Sequence, residues 1–254
     1  MSGYSKDITE RKYAEKELIK SKEEAEKADK MKSIFLAQMS HEIRTPINAL
    51  ISMVSLIKYD FEGNANEDQL MSFEIIDRAG RRIIRTVDLL LNLSEVQAGT
   101  YTPNLTKVDI LSDVLLVVIA EYSMLAKSKK IKVKLNSLTK DTDIVADVYT
   151  ANQIFVQLLD NAIKYTEEGE VVVDVKRNNE NKLVVELKDS GVGIEKEYLS
   201  KIFEPFSQEE MGYTRKFEGN GIGLTLVKEY CRLNKATIEV ESEKGVGSIF
   251  RVVF

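Results

Sequence analysis

A chain of 254 residues is long enough to form one or two domains, each with a buried core. Its net charge is −5, and its 36 basic and 41 acidic residues are well mixed, so it lacks the clustered basic face that nucleic-acid binding requires. The longest unbroken apolar run, residues 114–120, is shorter than the ~20 residues that span a bilayer. We therefore expect a cytoplasmic segment that binds no nucleic acid and contains no membrane span. Membrane anchoring of a longer natural protein is left open.

The first hundred residues are predicted to be helical, since they contain four of the 13 glycines. Residues 7–32 are dominated by Glu, Lys and Ala, which are good helix formers. A weak heptad seam steps by four and three residues through Ala14, Leu18, Ser21, Ala25, Ala28, Lys32, Phe35 and Met39. This spacing favours a coiled coil that leads into a helical bundle over a solvated single helix.

A second helix is predicted after a turn at residues 61–66, which are rich in Gly and Asn. Its seam consists of Phe73, Ile76, Gly80, Ile83, Val87, Leu90 and Ser94. Two helices joined by a short loop form an antiparallel hairpin, and a hairpin this narrow leaves an apolar stripe that a second copy has to cover. We therefore expect a homodimeric four-helix bundle. The helix should end at Ala98 and Gly99, and residues 100–103 are interpreted as a linker and hinge.

Helices and strands alternate after Pro103. Helices are predicted over residues 110–126, 151–165 and 224–233. Alternating apolar residues predict strands at 131–135, 171–175, 183–187, 237–240 and 250–254. This order is typical of an α/β sandwich, in which one mixed sheet is covered by helices on one face.

His41 is the single histidine of the chain, and a lone histidine is more often structural than catalytic. Its surroundings reverse that expectation, because residues 40–46 (SHEIRTP) place Pro46 inside a predicted helix. A proline there removes one hydrogen bond and costs about 3 kcal/mol or bends the helix. Thr45 lies four residues from His41 and three from Glu42, so all three can share one helix face.

Imidazole suits phosphoryl transfer, because at an ordinary pKa near 6.5 it is largely neutral at pH 7 and can attack phosphorus. A carboxylate bonded to the other ring nitrogen would fix the tautomer and stabilise the developing positive charge. Glu42 is the candidate for that carboxylate. The sequence therefore predicts a phosphorylated histidine whose phosphoryl group is labile enough to pass to another acceptor.

Residues 40–46 resemble the H box of sensor histidine kinases. The resemblance implies that His41 is the phosphoacceptor, that Glu42 assists as a base, and that Thr45 positions water for phosphatase activity. Residues 3–12 resemble the last strand of a PAS-type sensor domain and its exit into a signalling helix. The resemblance therefore implies a missing PAS domain before a signalling helix at residues 1–32. A dimerisation and histidine phosphotransfer hairpin (33–102) and a catalytic ATP-binding domain (103–254) would follow.

Residues 158–166 (LLDNAIKYT) resemble the N box of the same family. The resemblance implies that the amide oxygen of Asn161 binds magnesium, a hard cation already matched by phosphate charge. Lys164, on the same helix face, would reach phosphate oxygens, and Tyr165 would pack near the base or ribose. An amphipathic helix with outward polar residues is the ordinary explanation of this segment alone.

Three glycine-rich segments complete the nucleotide site. Residues 189–194 (DSGVGI) resemble the first glycine box, in which the carboxylate of Asp189 accepts the adenine amino proton. Residues 219–224 (GNGIGL) open a helix whose N–H groups would face phosphate. Residues 245–250 match the last glycine segment. The residues implied to bind ATP in the first two segments are Asp189, Gly191, Gly193, Ile194, Gly219, Gly221, Gly223 and Leu224.

Between these glycine boxes, residues 201–206 (KIFEPF) resemble the family's F box, and residues 207–218 would form the lid over ATP. Arg215 and Lys216 are candidates for extra phosphate contacts, with simple solvation as the alternative. Two positions depart from the family pattern. Gln157 stands where many members have a second asparagine, and Asn220 replaces the usual threonine or serine.

The resemblance covers residues 3–254 and implies a homodimeric protein-histidine kinase that uses ATP and Mg²⁺. The γ-phosphoryl group would pass to His41 and then to an aspartate of a response regulator receiver domain. Two alternatives stay open. An ATPase of the gyrase or heat-shock chaperone kind would leave His41 and Pro46 unexplained. A kinase-deficient scaffold or phosphatase would not need an intact nucleotide site.

Overall fold

The computed structural model describes residues 3–61, 66–209 and 219–254. The chain divides into two compact units, Met1–Tyr101 and Thr102–Phe254. None of the helices in the described part of the chain has a stretch long and apolar enough to cross a bilayer.

The first unit is a hairpin of two helices, α1 (Gly3–Asp60) and α2 (Glu67–Gln97). The start of α2 follows from its sequence, because Asn66 caps the N–H of Gln69 while the Gln69 side chain accepts from the Asn66 N–H. The end of α2 also follows, since Ala98 caps the helix and Gly99 has a φ of +66°. The loop residues 62–65 lie outside the described part of the chain.

The strand expected within residues 3–12 is wrong, because α1 is helical from Gly3 onward. A strand needs a neighbouring strand to bond its backbone groups, whereas a helix bonds them within itself. The Glu, Lys and Ala residues that favour a helix lie mainly after residue 12, so α1 continues into this stretch from a better helix-forming segment.

The second unit is built on a five-stranded sheet with strand order β2-β4-β5-β7-β6. Its strands are β2 (Ile131–Ser137), β4 (Gly169–Arg177), β5 (Leu183–Asp189), β6 (Thr237–Glu243) and β7 (Gly247–Val253). The β2–β4 pair is parallel and the other pairs are antiparallel, so the sheet is mixed as predicted.

Three helices pack on one face of this sheet: α3 (Leu116–Ser128), α4 (Val148–Tyr165) and α5 (Gly223–Leu233). The strands alternate accordingly, with buried residues at Val171, Val173 and Val175 in β4. Cys231 of α5 is buried in this layer, and burial raises the pKa of its thiol to about 12. The polar face of the sheet carries ion pairs such as Lys134–Glu170.

Two local features were not predicted. A two-stranded sheet pairs β1 (Thr106–Asp109) with β3 (Asp143–Ala146). These strands have four residues each, which is too short for an alternating pattern to stand out. A π-helical segment, Ile110–Leu115, precedes α3 where an ordinary helix was expected, and Asp109 caps it.

Candidate active-site residues on the two units

His41 lies on the exposed surface of α1, next to the exposed Glu42. The helix continues through Pro46, which has no N–H for the carbonyl of Glu42. In the preceding residue, Thr45, the hydroxyl donates to the carbonyl of His41 at 3.1 Å. The three residues predicted to act together are therefore on one exposed stretch of helix, as their spacing indicated.

An ion pair that the sequence analysis missed links the two helices of the hairpin beside this stretch. The guanidinium of Arg44 donates to Asp88 of α2 at 2.6 Å and to the hydroxyl of Ser40 at 3.4 Å. Ser40 is buried although its neighbour His41 is exposed. Arg44 belongs to the quoted motif, but Asp88 is 44 residues away, and no spacing within one helix could reveal that contact.

Gly80 sets the approach of the two helices further along the hairpin. A Cβ at this position would lie 2.8 Å from Cγ1 of Ile51, so a larger residue would require the Ile51 side chain or its helix to shift. Several other seam and neighbouring residues are not covered. Large apolar side chains exposed along the hairpin include Leu50, Met53, Leu56, Ile57, Ile75, Ile76 and Ile83. Their exposure matches the apolar stripe expected of this hairpin.

Asp189 is the best-defined predicted residue of the second unit. It ends β5, it is 6% exposed, and its Oδ1 accepts from the N–H of Gly191 at 2.9 Å. Burial raises the pKa of Asp189, and the N–H groups of Gly191 and Ser248 oppose that change. A carboxylate held by two backbone donors in a buried setting is suited to select one polar group of a ligand.

The first glycine box lies against the end of α4. The N–H of Val192 donates to the carbonyl of Tyr165 at 3.1 Å, and a Cβ at Gly191 would lie 2.6 Å from that oxygen. Gly193 has a φ of +62° and packs against the backbone of Glu243, which leaves no room for a side chain. Both glycines are therefore required by close backbone approach.

The second glycine box meets the same end of α4. A Cβ at Gly219 would lie 3.0 Å from Nζ of Lys164 and 3.8 Å from the hydroxyl of Tyr165. Lys164 donates to that hydroxyl at 2.9 Å, and its ammonium lies 4.3 Å from the centre of the Tyr165 ring. The end of α4 thus lies against both glycine boxes, the first at the carbonyl of Tyr165 and the second at the ammonium of Lys164.

The start of α5 provides backbone donors. The helix begins at Gly223 and Leu224, and its N-cap residue, Ile222, makes no side-chain cap. The first-turn N–H groups of such a helix are suited to an anionic group. Gly221, with a φ of +69°, packs against the backbone of Phe206 just before this turn.

The two departures from the family pattern have defined positions. Asn220 stabilises a turn within the second glycine box, since its side-chain oxygen accepts from the N–H of Ile222 at 3.1 Å. Gln157 is buried in α4 with Oε1 beside Gly223, where a Cβ would approach it to 3.0 Å. Asn220 therefore supports the loop before α5, and Gln157 lies beside the first residue of that helix.

Asn161 lies on α4 and is partly exposed, one turn before Lys164 and Tyr165. Among residues 3–61, 66–209 and 219–254, no three His, Cys, Asp or Glu side chains form a group that could hold a metal ion. The donor chemistry fits a magnesium ion bound through one amide oxygen, with phosphate oxygens as its other charged ligands. Arg215 and Lys216 lie outside the described residues.

Two protein families match the two units. Residues 31–99 match the family described as His Kinase A (phospho-acceptor) domain. Residues 146–254 match the family described as Histidine kinase-, DNA gyrase B-, and HSP90-like ATPase. A phospho-acceptor hairpin followed by such an ATPase unit defines the class of two-domain histidine kinases.

Whole-chain relatives agree with that class. The chain is 33% identical over 253 residues to the autoinducer 2 sensor kinase/phosphatase LuxQ of Vibrio parahaemolyticus, covering 97% of this chain and 29% of that protein. It is 31% identical over 259 residues to the cell-division control histidine kinase PdhS of Brucella anthropi, covering 98% of this chain and 24% of that protein. The chain thus spans less than a third of the length of these relatives.

Solved structures show the same architecture. Full-length ShkA in complex with AMPPNP superposes with a TM-score of 0.70 at 26% identity, over 86% of this chain and 44% of that one. The histidine kinase AdeS of Acinetobacter baumannii shares the fold, with a TM-score of 0.58 at 22% identity over 84% of this chain and 96% of that one. The chain belongs to the sensor histidine kinase family and forms its kinase core.

Proposed function

We propose that this core phosphorylates its own His41 with the γ-phosphoryl group of ATP and then passes that group to an aspartate of a response regulator receiver domain. The single observation that carries the proposal is an exposed histidine, inside a proline-containing helix, on a chain that also holds the convergent nucleotide-type site of an ATPase unit. An exposed histidine can occur without a nucleotide site, and a nucleotide site can occur without such a histidine. Transfer of a phosphoryl group from ATP to histidine needs both on one protein.

The chemistry at the acceptor follows from the side chains. A neutral imidazole nitrogen of His41 forms the bond to phosphorus while the bond to the leaving ADP oxygen breaks. Glu42 is the group proposed to take the proton from the other ring nitrogen as positive charge develops. The exposure of His41 suits a group that must meet ATP first and a receiver domain afterwards.

The proposed nucleotide site uses the convergent residues of the second unit. Asp189 would accept the adenine amino proton, Lys164 would neutralise phosphate charge, and the N–H groups at the start of α5 would bind phosphate oxygens. Asn161 would hold magnesium, which supplies charge neutralisation of the phosphates when bound. Arg215 and Lys216 remain proposed as further phosphate contacts. Positioning and charge neutralisation are expected to supply most of the catalysis.

We also propose that the functional unit is a homodimer, because the exposed apolar stripe of the hairpin includes side chains as exposed as Leu56 and Met53, both at 65%. Burying such side chains contributes about 1.5–3 kcal/mol each. A second copy of the same hairpin is the simplest surface that could cover them.

Phosphatase activity is the second candidate, since LuxQ is named a sensor kinase/phosphatase. Thr45 is the residue proposed to position the attacking water. Its hydroxyl donates to the carbonyl of His41, so it would have to rotate away from the backbone to act on water. A Thr45→Ala variant should lose dephosphorylation of the receiver domain while it keeps autophosphorylation.

The decisive experiment incubates the chain with γ-labelled ATP and magnesium and compares it with His41→Gln. We expect acid-labile, base-stable label on the unchanged protein and none on the variant. His41 is exposed, so the variant should bind ATP with unchanged affinity, and an ATP titration serves as the control. Absence of label on a protein that binds ATP would overturn the kinase proposal in favour of the scaffold or phosphatase.

A further inference from the structure

A glycine motif, residues 245–250, runs from the turn between β6 and β7 into β7, and the proposed function assigns it no role. This turn makes several contacts with the loop that follows Asp189. Gly245 donates its N–H to the carbonyl of Val192 at 2.8 Å, and the backbone of Glu243 lies against Gly193. The loop that contains the first glycine box is therefore supported from the side opposite α4.

Ser242, the next-to-last residue of β6, makes the most specific of these contacts. Its hydroxyl oxygen accepts the N–H of Ile194 at 2.9 Å and donates to the carbonyl of Gly247 at 2.9 Å. The hydroxyl of Ser248 lies 2.9 Å from the same oxygen. Because Ser242 has one hydrogen and uses it for Gly247, Ser248 must be the donor in their contact. The Ser242 hydroxyl then uses its full hydrogen-bonding capacity.

The partners of Ser242 connect it to both sides of the Asp189 carboxyl. Ile194 is the last residue of the first glycine box, and Ser248 is the register partner of Asp189 on β7. The backbone of Ser248 also lowers the pKa of the Asp189 carboxyl, against the effect of burial. One hydroxyl thus joins the loop on one side of this carboxyl to the strand on its other side.

A second contact supports the same loop. The carboxylate of Glu209 accepts the N–H of Glu195 at 3.1 Å and pairs with Lys244 at 2.6 Å. Ser242 lies in β6 and Lys244 in the β6–β7 turn, so the loop is held at two consecutive residues, Ile194 directly by Ser242 and Glu195 through Glu209. A loop held in this way can keep a carboxylate and its neighbouring N–H groups at a fixed spacing from a flat ring.

We infer that Ser242 is a positioning residue for base recognition, which acts through Ile194 and Ser248 to fix the loop around Asp189. It does not touch the nucleotide itself. This inference rests on the proposed use of ATP and deepens it, because it assigns the purine selectivity of the site to a side chain at the end of β6. Ser242 should therefore govern how well the site distinguishes adenine from a purine without the amino group.

The test measures binding of ATP and of inosine triphosphate, which lacks the adenine amino group, to the full chain by calorimetry. In Ser242→Ala, the Asp189 carboxylate should be displaced and should lose its hydrogen bond to the adenine amino group. This loss should weaken ATP binding by about five- to tenfold. Inosine triphosphate binding should change by less than about twofold, so the selectivity for ATP falls. Ser242→Thr keeps the hydroxyl and should restore the selectivity.

Ser137→Ala is the matched control, since this hydroxyl at the end of β2 donates to the carbonyl of Thr139 at 2.7 Å, away from the glycine boxes. It should leave both affinities unchanged. Equal weakening of both nucleotides in Ser242→Ala, or no change in either, would overturn the positioning role. If the unchanged protein bound neither nucleotide, the proposed function itself would fail, and the two results are therefore distinguishable.

Discussion

The two units of this kinase core keep their apolar residues in different places. In the second unit, large side chains such as Ile154 and Leu158 of α4 are at most 1% exposed between helices and sheet. In the hairpin, Met53 and Leu56 are 65% exposed. A sheet covered by three helices can enclose a core within one chain, whereas two helices cannot. The ATPase unit therefore encloses a core within one chain, although single side chains such as Met124 stay exposed, whereas the hairpin leaves much of its apolar stripe uncovered.

The same substitution in each unit gives the largest test of this difference. Leu158→Ala should lower the free energy of unfolding of the second unit by about 2–5 kcal/mol, because it leaves a cavity in a packed core. Leu56→Ala leaves no cavity within one chain. It should instead raise the dissociation constant of the proposed dimer at least about tenfold, because two copies of a covered leucine are lost.

Chemical denaturation at several protein concentrations and sedimentation measure these two effects. The denaturation midpoint of the hairpin should depend on protein concentration, because its proposed dimer dissociates on unfolding. The denaturation midpoint of the second unit, which Leu158→Ala shifts, should not depend on concentration. The comparison would be wrong if Leu56→Ala left self-association unchanged. It would also be wrong if that variant lowered stability as much as Leu158→Ala does at every concentration.

The buried carboxyl of Asp189 gives a second, smaller test. Its pKa is raised by burial, against opposing bonds from the N–H groups of Gly191 and Ser248. A carboxyl with a raised folded pKa contributes stability that is fully present below the unfolded pKa and is lost as pH rises through the folded pKa. Its ionised form is therefore a cost to the empty fold at neutral pH, and we expect bound nucleotide to offset it.

Adenine recognition needs the ionised carboxylate as an acceptor, so the preference for ATP over inosine triphosphate should fall as pH drops from neutral toward that raised pKa. We expect a loss of about tenfold, comparable to one hydrogen bond to a charged group. The measurement is the ratio of the two affinities from pH 7.5 downward. Both nucleotides carry the same triphosphate, so the effect of its protonation on affinity cancels in this ratio. A ratio that stays constant until the fold itself is lost would contradict the role of Asp189.

The sequence predicted the fold well where regular patterns are long. The helices and the five strands of the main sheet were found because periods of 3.6 and 2 persist over several turns or pairs. The short strands β1 and β3 were missed, because four residues such as Thr106–Asp109 give no clear period. The strand expected within residues 3–12 was wrong, because these residues bond their backbone groups within α1 and not to a neighbouring strand.

The predictions for the candidate sites divide in the same way. Contacts within one element, such as Thr45 with His41, follow from helix spacing. The approach of Gly191 to Tyr165 and of Gly219 to Lys164 required the fold, although the glycines themselves indicated close backbone approach. The links of Ser242 to Ile194 and of Arg44 to Asp88 join distant segments through single side chains. Composition and spacing contain no signal for such contacts.

The ion pair between Arg44 and Asp88 gives the smallest expected effect, and it tests how the hairpin is held beside His41. Both side chains are about two-fifths exposed, at 42% and 41%, so water screens the pair despite its 2.6 Å distance. A double-mutant cycle with Arg44→Gln and Asp88→Asn should give a coupling of about 0.5 kcal/mol in hairpin stability, reduced by added salt.

The pair of Arg81 with Asp77, on one turn of α2, is the matched comparison, since it is also exposed and has a similar distance of 2.8 Å. Its coupling should be similar in size, because exposed ion pairs within one helix contribute about 0.3–0.5 kcal/mol. The two cycles should differ in their effect on autophosphorylation. Of these two pairs, Arg44–Asp88 joins the helix of His41 to α2, whereas Arg81–Asp77 lies within α2. Loss of Arg44–Asp88, and not of Arg81–Asp77, should therefore slow phosphorylation while ATP affinity stays unchanged. A coupling above about 2 kcal/mol at Arg44–Asp88 would instead mean that the pair is desolvated in the functional protein, which would place the dimer contact directly over it.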